Sequence, residues 1–151
     1  MPIIKPDNDG VANDKLISIF LAGSIEMGVA EDWQSKVEKE LDPFYNVYNP
    51  RRDNWDSSWT DDNPEMLRQI LWEQGFLEAV DIVLFYFDPK TKSPITLLEL
   101  GQALERRKHM RVICPQGYWK RKNVEVTCSG YGVDLDEDLD SVLKEIKRYH
   151  R

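Results

Sequence analysis

Apolar and polar positions along the chain fall into two alternating periods. Leu16–Ala22 (LISIFLA) is a continuous, β-rich apolar run that stops at Gly23-Ser24 and predicts a buried first strand. From about Glu31 to Leu41 the period changes, with Trp33, Val37 and Leu41 on one helical face. Phe44–Tyr48 predicts a second strand, stopped by Asn49-Pro50. A polar loop follows over residues 51–63, carrying Trp55 and Trp59. Asn63-Pro64-Glu65 supplies an N-cap, a first-position proline and a first-turn acid, so a helix is expected to about Ala79. Asp81–Phe87 (DIVLFYF) has the unbroken apolarity of a central parallel strand buried on both faces. Pro94–Arg107 predicts another helix, Met110–Cys114 a strand, Val124–Thr127 a weaker strand, and Asp138–Tyr149 a closing amphipathic helix. The acidic run Asp134–Asp140 reads as a solvated turn leading into that helix. Strands alternating with helices imply an α/β doubly wound parallel sheet of about five strands, with helices on both faces and ligands at the carboxyl ends of the strands. Residues 1–14 are polar, with Pro2, Pro6 and Gly10, and are expected to form a flexible arm; 15–151 form a single domain.

Composition narrows the function classes. The chain has 151 residues, 41% hydrophobic and 31% charged, enough for one core. A net charge of -7 opposes binding of a phosphate polymer, so no nucleic-acid partner is expected. Two cysteines, Cys114 and Cys128, and two histidines, His109 and His150, give no zinc spacing and no disulfide framework; no metal and no cofactor are expected. Such cysteine usage suits a reducing cytoplasmic compartment. The first residues lack a basic-then-apolar layout, and no apolar run nears the length of a bilayer span, so no membrane partner is expected.

Two carboxylates stand where the pattern calls for apolar residues. Met66, Ile70, Leu77 and Val80 define a helical stripe, and Glu73 lies in its middle. Glu99 interrupts Pro94-Ile-Thr-Leu-Leu-Glu-Leu-Gly101, with Ile95 four residues before it and Ala103 four after. A buried carboxylate is costly unless paired or hydrogen-bonded. Glu73 can therefore be half of a structural ion pair or mark a solvent-filled cleft. Glu99 can be a helix-start acid that stabilises the dipole, or an ionised nucleophile held there by the same dipole. Gly101 permits close approach of a ligand or another helix. Taken together, one carboxylate to attack an oxocarbenium-like carbon and one to manage a proton is the pair that glycosidic chemistry uses. A separation of about 5–5.5 Å between the two carboxyls gives retention through a covalent intermediate.

At these residues the sequence resembles the nucleoside 2-deoxyribosyltransferase family, in its "like" branch. Ile19-Phe-Leu-Ala-Gly-Ser-Ile25, Asn49-Pro-Arg-Arg52, Trp72-Glu73, Ala79-Val-Asp81 and Ile95-Thr-Leu-Leu-Glu-Leu-Gly101 carry the resemblance, in order, on a flavodoxin-like strand pattern. It implies a double displacement with Glu99 as nucleophile and Glu73 as acid/base, the latter where the family usually has aspartate. Phe20 stands where a tyrosine often orients the nucleophile. Ser93 stands where the transferases carry a sugar-binding aspartate and the related deoxynucleoside 5′-monophosphate N-glycosidases a phosphate-holding serine. Gly23 and Ser24 resemble the phosphate-holding turn of those glycosidases. Asn123 matches a position that donates a polar side chain into a neighbouring subunit's site, which implies a homo-oligomer with shared active sites. The partner is thus a small nucleoside or nucleotide.

The remaining candidates have two readings each. Arg51 and Arg52 neutralise a phosphate or are surface charges, and Trp55 and Trp59 lid the site or anchor the loop. Asp81 holds loop backbone or, less simply, touches ligand. The activity expected is cleavage of an N-glycosidic bond with transfer to another base. Hydrolysis of a deoxynucleoside 5′-monophosphate to free base and a non-catalytic nucleotide-binding module are the alternatives.

Overall fold

The computed structural model describes residues 3–8, 10–24, 32–51 and 58–150. The long apolar runs become the middle of a parallel sheet. In chain order the elements are β1 (Ile3–Ile4), β2 (Ser18–Gly23), α1 (Trp33–Leu41), β3 (Asn46–Tyr48), α2 (Pro64–Ala79), β4 (Ile82–Tyr86), α3 (Pro94–Glu105), β5 (Met110–Ile113), α4 (Arg121–Gly130), β6 (Leu135–Asp136) and α5 (Leu139–His150). The sheet order is β1-β3-β2-β4-β5-β6, and every described pairing is parallel.

Alternation along the strands divides the core in two. Phe20 and Ala22 of β2, with Val83 and Phe85 of β4, face a layer that holds Leu77, Leu100, Ala103, Leu104, Val124 and Cys128 from α2, α3 and α4. Ile19, Leu21, Ile82 and Leu84 face Trp33, Val37 and Leu41 of α1 and Val142, Leu143 and Ile146 of α5. Helices therefore cover both faces, as the alternation of elements implied. The chain leaves β2 toward β3 on one side and leaves β4 toward β5 on the other. The carboxyl ends of β2 and β4 accordingly flank the switch point where such sheets bind ligands.

Four expectations are corrected. The sheet has six described strands rather than about five, because Ile3–Ile4 and Leu135–Asp136 add one at each edge. Two-residue strands are too short to show a period, and one lies in the expected arm, the other in the expected solvated turn. Val124–Thr127 lies inside α4 instead of forming a strand. Val124 and Cys128, four apart, are buried while Val126 is 61% exposed, which is a helical and not an alternating pattern. The buried stripe of α2 is rotated from the one expected. Gln69, Leu77 and Val80 are buried and Ile70 is 46% exposed, because α2 is apolar on a second, outward side that masks the true period. On α3 the same holds for Ile95, at 59% exposed.

Capping agrees with the sequence. The Asn63 side chain accepts from the Glu65 N–H at 2.8 Å, with Pro64 as the first helical residue. Asp81 accepts from Ser18 N–H at 2.9 Å and from its hydroxyl at 3.0 Å, tying β2 to β4 at the end remote from the switch point. Among the described residues no helix is long and apolar enough to cross a membrane, and no cluster of His, Cys, Asp and Glu could hold a metal ion.

Candidate active site

The last residue of β2 is fixed by space. A Cβ on Gly23 would lie 2.5 Å from the Trp33 ring and 2.5 Å from the Tyr86 carbonyl oxygen, so only glycine lets β2, β4 and α1 close here. Ser24 follows, and its carbonyl accepts from Trp33 Nε1 and Gln34 Nε2, each at 3.2 Å. Its hydroxyl turns the other way, into a knot with Thr91 at 2.8 Å and Ser93 at 2.6 Å, while Thr91 and Ser93 lie 2.8 Å apart. The knot is anchored to the loop after β4: the Asp88 N–H donates to the Ser24 hydroxyl and the Thr91 hydroxyl donates to the Asp88 carbonyl, both at 2.9 Å. All three hydroxyl residues are buried. Ser93 takes a left-handed backbone, φ 49°, at the start of α3, which is uncommon for a residue with a side chain. Its hydroxyl makes no cap bond to the helix and joins the knot instead.

Arg51 reaches the same edge from β3. Its guanidinium donates to Gln34 Oε1 at 3.1 Å and lies 3.4 Å from Asp32. Gln34 thus links Arg51 to Ser24. Arg52 and Trp55 lie outside the described residues, as does Glu31; Trp59 is half-buried.

The carboxylates sit on the facing helices. Glu73 is largely buried on α2, and Gln69, one turn earlier, donates to its Oε1 at 3.0 Å and to the Pro50 carbonyl at 2.9 Å. Burial outweighs that hydrogen bond and raises the Glu73 carboxyl to about 6. Glu99, on the second turn of α3, is 6% exposed and makes no side-chain hydrogen bond among the described residues. Burial first, and then the Glu73 charge, push its carboxyl up to about 8. The helix start was expected to favour an ionised Glu99; it does not prevail, because the dipole's influence fades beyond the first turn. Burial thus favours the protonated form of both groups, and the Glu73 charge further disfavours ionisation of Glu99, so Glu99 is the one that keeps its proton to higher pH.

An aromatic cluster lies in the core layer on the same side of the sheet as α2 and α3. Phe20 is fully buried, with its ring centroid 6.1 Å from Trp72, and supplies no hydroxyl to Glu99. Tyr48 stacks on Phe76 at 4.4 Å, and Trp72 meets Phe76 edge-on at 5.1 Å.

The structure thus gathers Gly23, Ser24, Arg51 and Ser93 into one bonded network at the switch point, with Glu73 tied to its β3 side and Glu99 coupled to Glu73. Asn123 stands apart, exposed on the first turn of α4, and no hydrogen bond joins it to either glutamate among the described residues. Gln34, Gln69 and Thr91 complete the network and were missed. Gln69 stood four residues before Glu73, the spacing at which a helical amide meets a carboxylate; Gln34 and Thr91 left no such signal.

Comparison with known proteins bears on this geometry. A family model described as "Nucleoside 2-deoxyribosyltransferase like" matches residues 16–118, a span that includes both carboxylates and excludes Asn123. A solved structure, of a conserved protein from Enterococcus faecalis V583, superposes with a TM-score of 0.60 at 14% identity. The likeness covers 88% of this chain and 98% of that one, and it speaks to the fold alone. No curated protein matches.

Proposed function

The chain belongs to the nucleoside 2-deoxyribosyltransferase-like family, and from that premise we propose that it breaks the N-glycosidic bond of a nucleoside or nucleotide with Glu99 as nucleophile and Glu73 as acid/base. A Glu99 carboxylate oxygen attacks the anomeric carbon, the bond from that carbon to the base nitrogen breaks, and the departing base takes the proton of Glu73. The glycosyl ester on Glu99 is then attacked by a nitrogen of a second base. The ester bond breaks, Glu99 leaves as carboxylate, and the incoming base returns a proton to Glu73. One carboxylate and one carboxylic acid are required, and the two members of the pair differ in how firmly each keeps its proton.

The observation that carries this reading is Glu99 itself, a buried carboxyl with no side-chain hydrogen bond among the described residues. A carboxyl so expensive to bury, with no side-chain hydrogen bond among the described residues, is suited to take its partner from a ligand. In the free protein burial and the Glu73 charge favour a proton on Glu99. Sugar hydroxyls donating to Glu99 would lower its carboxyl and move the proton to Glu73, where the leaving base needs it. Phe20, lacking a hydroxyl, leaves that donation to the substrate.

A second reading rests on the hydroxyl knot. Ser24 and Ser93, close to the start of α3 and with Arg51 linked through Gln34, place hydroxyls where an aspartate would repel a phosphate, and Arg51, already 3.4 Å from Asp32, supplies the positive charge. They favour a 5′-monophosphate substrate and, with water as acceptor, hydrolysis to free base. Asn123, exposed in its own chain, fits a role in a neighbouring subunit's site within a homo-oligomer. Two buried, unbonded thiols suit a cytoplasmic enzyme.

The test is a panel of deoxynucleosides, ribonucleosides and their 5′-monophosphates, with and without an acceptor base, read by chromatography. Base release or exchange that disappears in Glu99→Gln supports the reading. No release from any substrate by the folded wild type overturns it and leaves a nucleotide-binding module.

A further inference from the structure

A carboxylic acid has two oxygens, and only one of them carries the proton that a departing base needs. On Glu73 a neighbouring side chain tells the two apart. Gln69 Nε2 donates to Glu73 Oε1 at 3.0 Å, while Oε2 makes no side-chain hydrogen bond among the described residues. An amide nitrogen donates and does not accept, so the oxygen it meets is the one without the proton.

Gln69 is not free to turn its amide round. The same nitrogen donates to the Pro50 carbonyl at 2.9 Å, and a carbonyl has no proton to offer an amide oxygen. Reversal would set oxygen against oxygen at Pro50. That peptide is itself anchored by buried Asn49, whose N–H donates to the Ile4 carbonyl at 2.9 Å. The Asn49 side chain accepts from the Arg51 N–H at 2.9 Å and donates to Glu38. The chain just after β3 therefore dictates which way the Gln69 amide faces.

The arrangement carries a cost that a plain structural tie does not need. Gln69 is 5% exposed, and its Oε1 is sealed from solvent with no hydrogen-bond partner among the described residues. A buried acceptor without a donor is destabilising. The amide accepts that cost while its nitrogen serves both Pro50 and Glu73.

We propose that Gln69 is the positioning residue of the acid/base step, holding the transferable proton of Glu73 on Oε2. This rests on the proposed function and adds the atom through which it works. When the glycosidic bond breaks, its electron pair passes to the base, and a base nitrogen takes the proton from Oε2. Glu73 is left as a carboxylate whose Oε1 Gln69 still holds, so the amide serves both states of the group without moving. In the return step the incoming base nitrogen gives its proton to Oε2. A proton on Oε1 would face the Gln69 N–H and be lost to the reaction.

Gln69→Met, similar in length and unable to donate, tests this on two substrates that differ in their need for a proton. For a purine the pair is a deoxynucleoside and its 7-methylated cation, whose base leaves neutral without protonation. For a pyrimidine it is deoxyuridine and its 5-fluoro analogue, which has the better leaving base. In the variant, kcat for the ordinary substrate is expected to fall about a hundredfold, and for its partner less than about tenfold. A merely structural role lowers both alike, so equal losses, or no loss, in the folded variant overturn the proposal. Should Gln69→Met not fold, Gln69→Glu decides. It keeps the shape but sets a carboxyl against Glu73: ionised, it donates nothing, and protonated, it shares its proton with Oε1. The same selective loss is expected, and an equal loss on both substrates overturns the proposal. A wild type that releases no base from any substrate overturns the proposed function, and this inference with it.

Discussion

Glu99 and the Ser24–Thr91–Ser93 knot lie at the same end of the sheet, with Ser93 only six residues before Glu99, yet they are built on opposite terms. The knot spends its hydroxyls on one another and on the Asp88 backbone, at 2.6–2.9 Å. Glu99, equally hidden from solvent, has no such bond among the described residues, and it faces the charge of Glu73. Hydrogen-bonded buried hydroxyls are architecture; a largely buried carboxyl without such a bond among the described residues is held in place against its own solvation energy by the rest of the fold. The difference supports the chemistry proposed for the glutamates and a positioning role for the hydroxyls.

The largest effect that can break this comparison is on turnover. Glu99→Gln keeps size and burial while removing the nucleophile, and is expected to lower base release at least about a thousandfold. Trapped-intermediate mass spectrometry of the wild type should find a glycosyl adduct on the peptide containing Glu99. Full turnover by the variant would return Glu99 to the architectural group.

The same substitution should change stability in the other direction. Both carboxyls are raised above the ordinary 4.5, Glu73 to about 6 and Glu99 to about 8, so between those values the folded protein holds protons that the unfolded chain has released. Stability is therefore greatest at the acid end of this window and falls as pH rises from 4.5 through about 8. Glu40, Glu125 and Asp138, held below their ordinary values, are ionised in both states from about pH 5.5 upward and do not oppose the trend there. Urea unfolding at pH 5.5, 7 and 8.5 should show the decline in the wild type and a flatter line in Glu99→Gln. A wild type that gains stability over this range would show that Glu99 has a partner after all.

Why some of this was legible in the sequence follows from the same contrast. DIVLFYF announces a central strand because it is buried on both faces, and Asn63-Pro64-Glu65 announces a helix start because the cap is local. Glu73 and Glu99 were visible as charges inside apolar periods. Ile70 and Ile95 misled, because a helix with two apolar sides does not say which one faces the sheet. The edge strands Ile3–Ile4 and Leu135–Asp136 exist through pairing with β3 and β5 and carry no period of their own. The knot was only half visible: Ser24 and Ser93 were singled out, but their bond joins residues 69 apart and Thr91 gave no sign.

A smaller effect sharpens the comparison on the hydroxyl side. Aspartate tolerates the left-handed backbone that Ser93 adopts, so Ser93→Asp should fold while adding a negative charge near the start of α3. If a 5′-phosphate is held there, kcat/KM for a monophosphate should fall about tenfold or more, with a smaller loss for the corresponding nucleoside. Equal losses would remove phosphate from the reading.

The smallest effect concerns whether the knot is architecture at all. Ser24→Ala removes the hydroxyl shared by Thr91, Ser93 and the Asp88 N–H, leaving a buried donor short of its partner. A loss of about 1–2 kcal/mol in unfolding free energy is expected, because the loop between β4 and α3 would lose its tie to β2. Thr91 can still hold Ser93 at 2.8 Å, so the start of α3 should stay close to its present place. Were the variant as stable as the wild type but poorer in KM for a monophosphate, the hydroxyls would have been arranged for a ligand and only incidentally for the fold. Glu99 and Ser24 would then belong to one class of residue, and the contrast between them would measure only which of the two finds a partner before the substrate arrives.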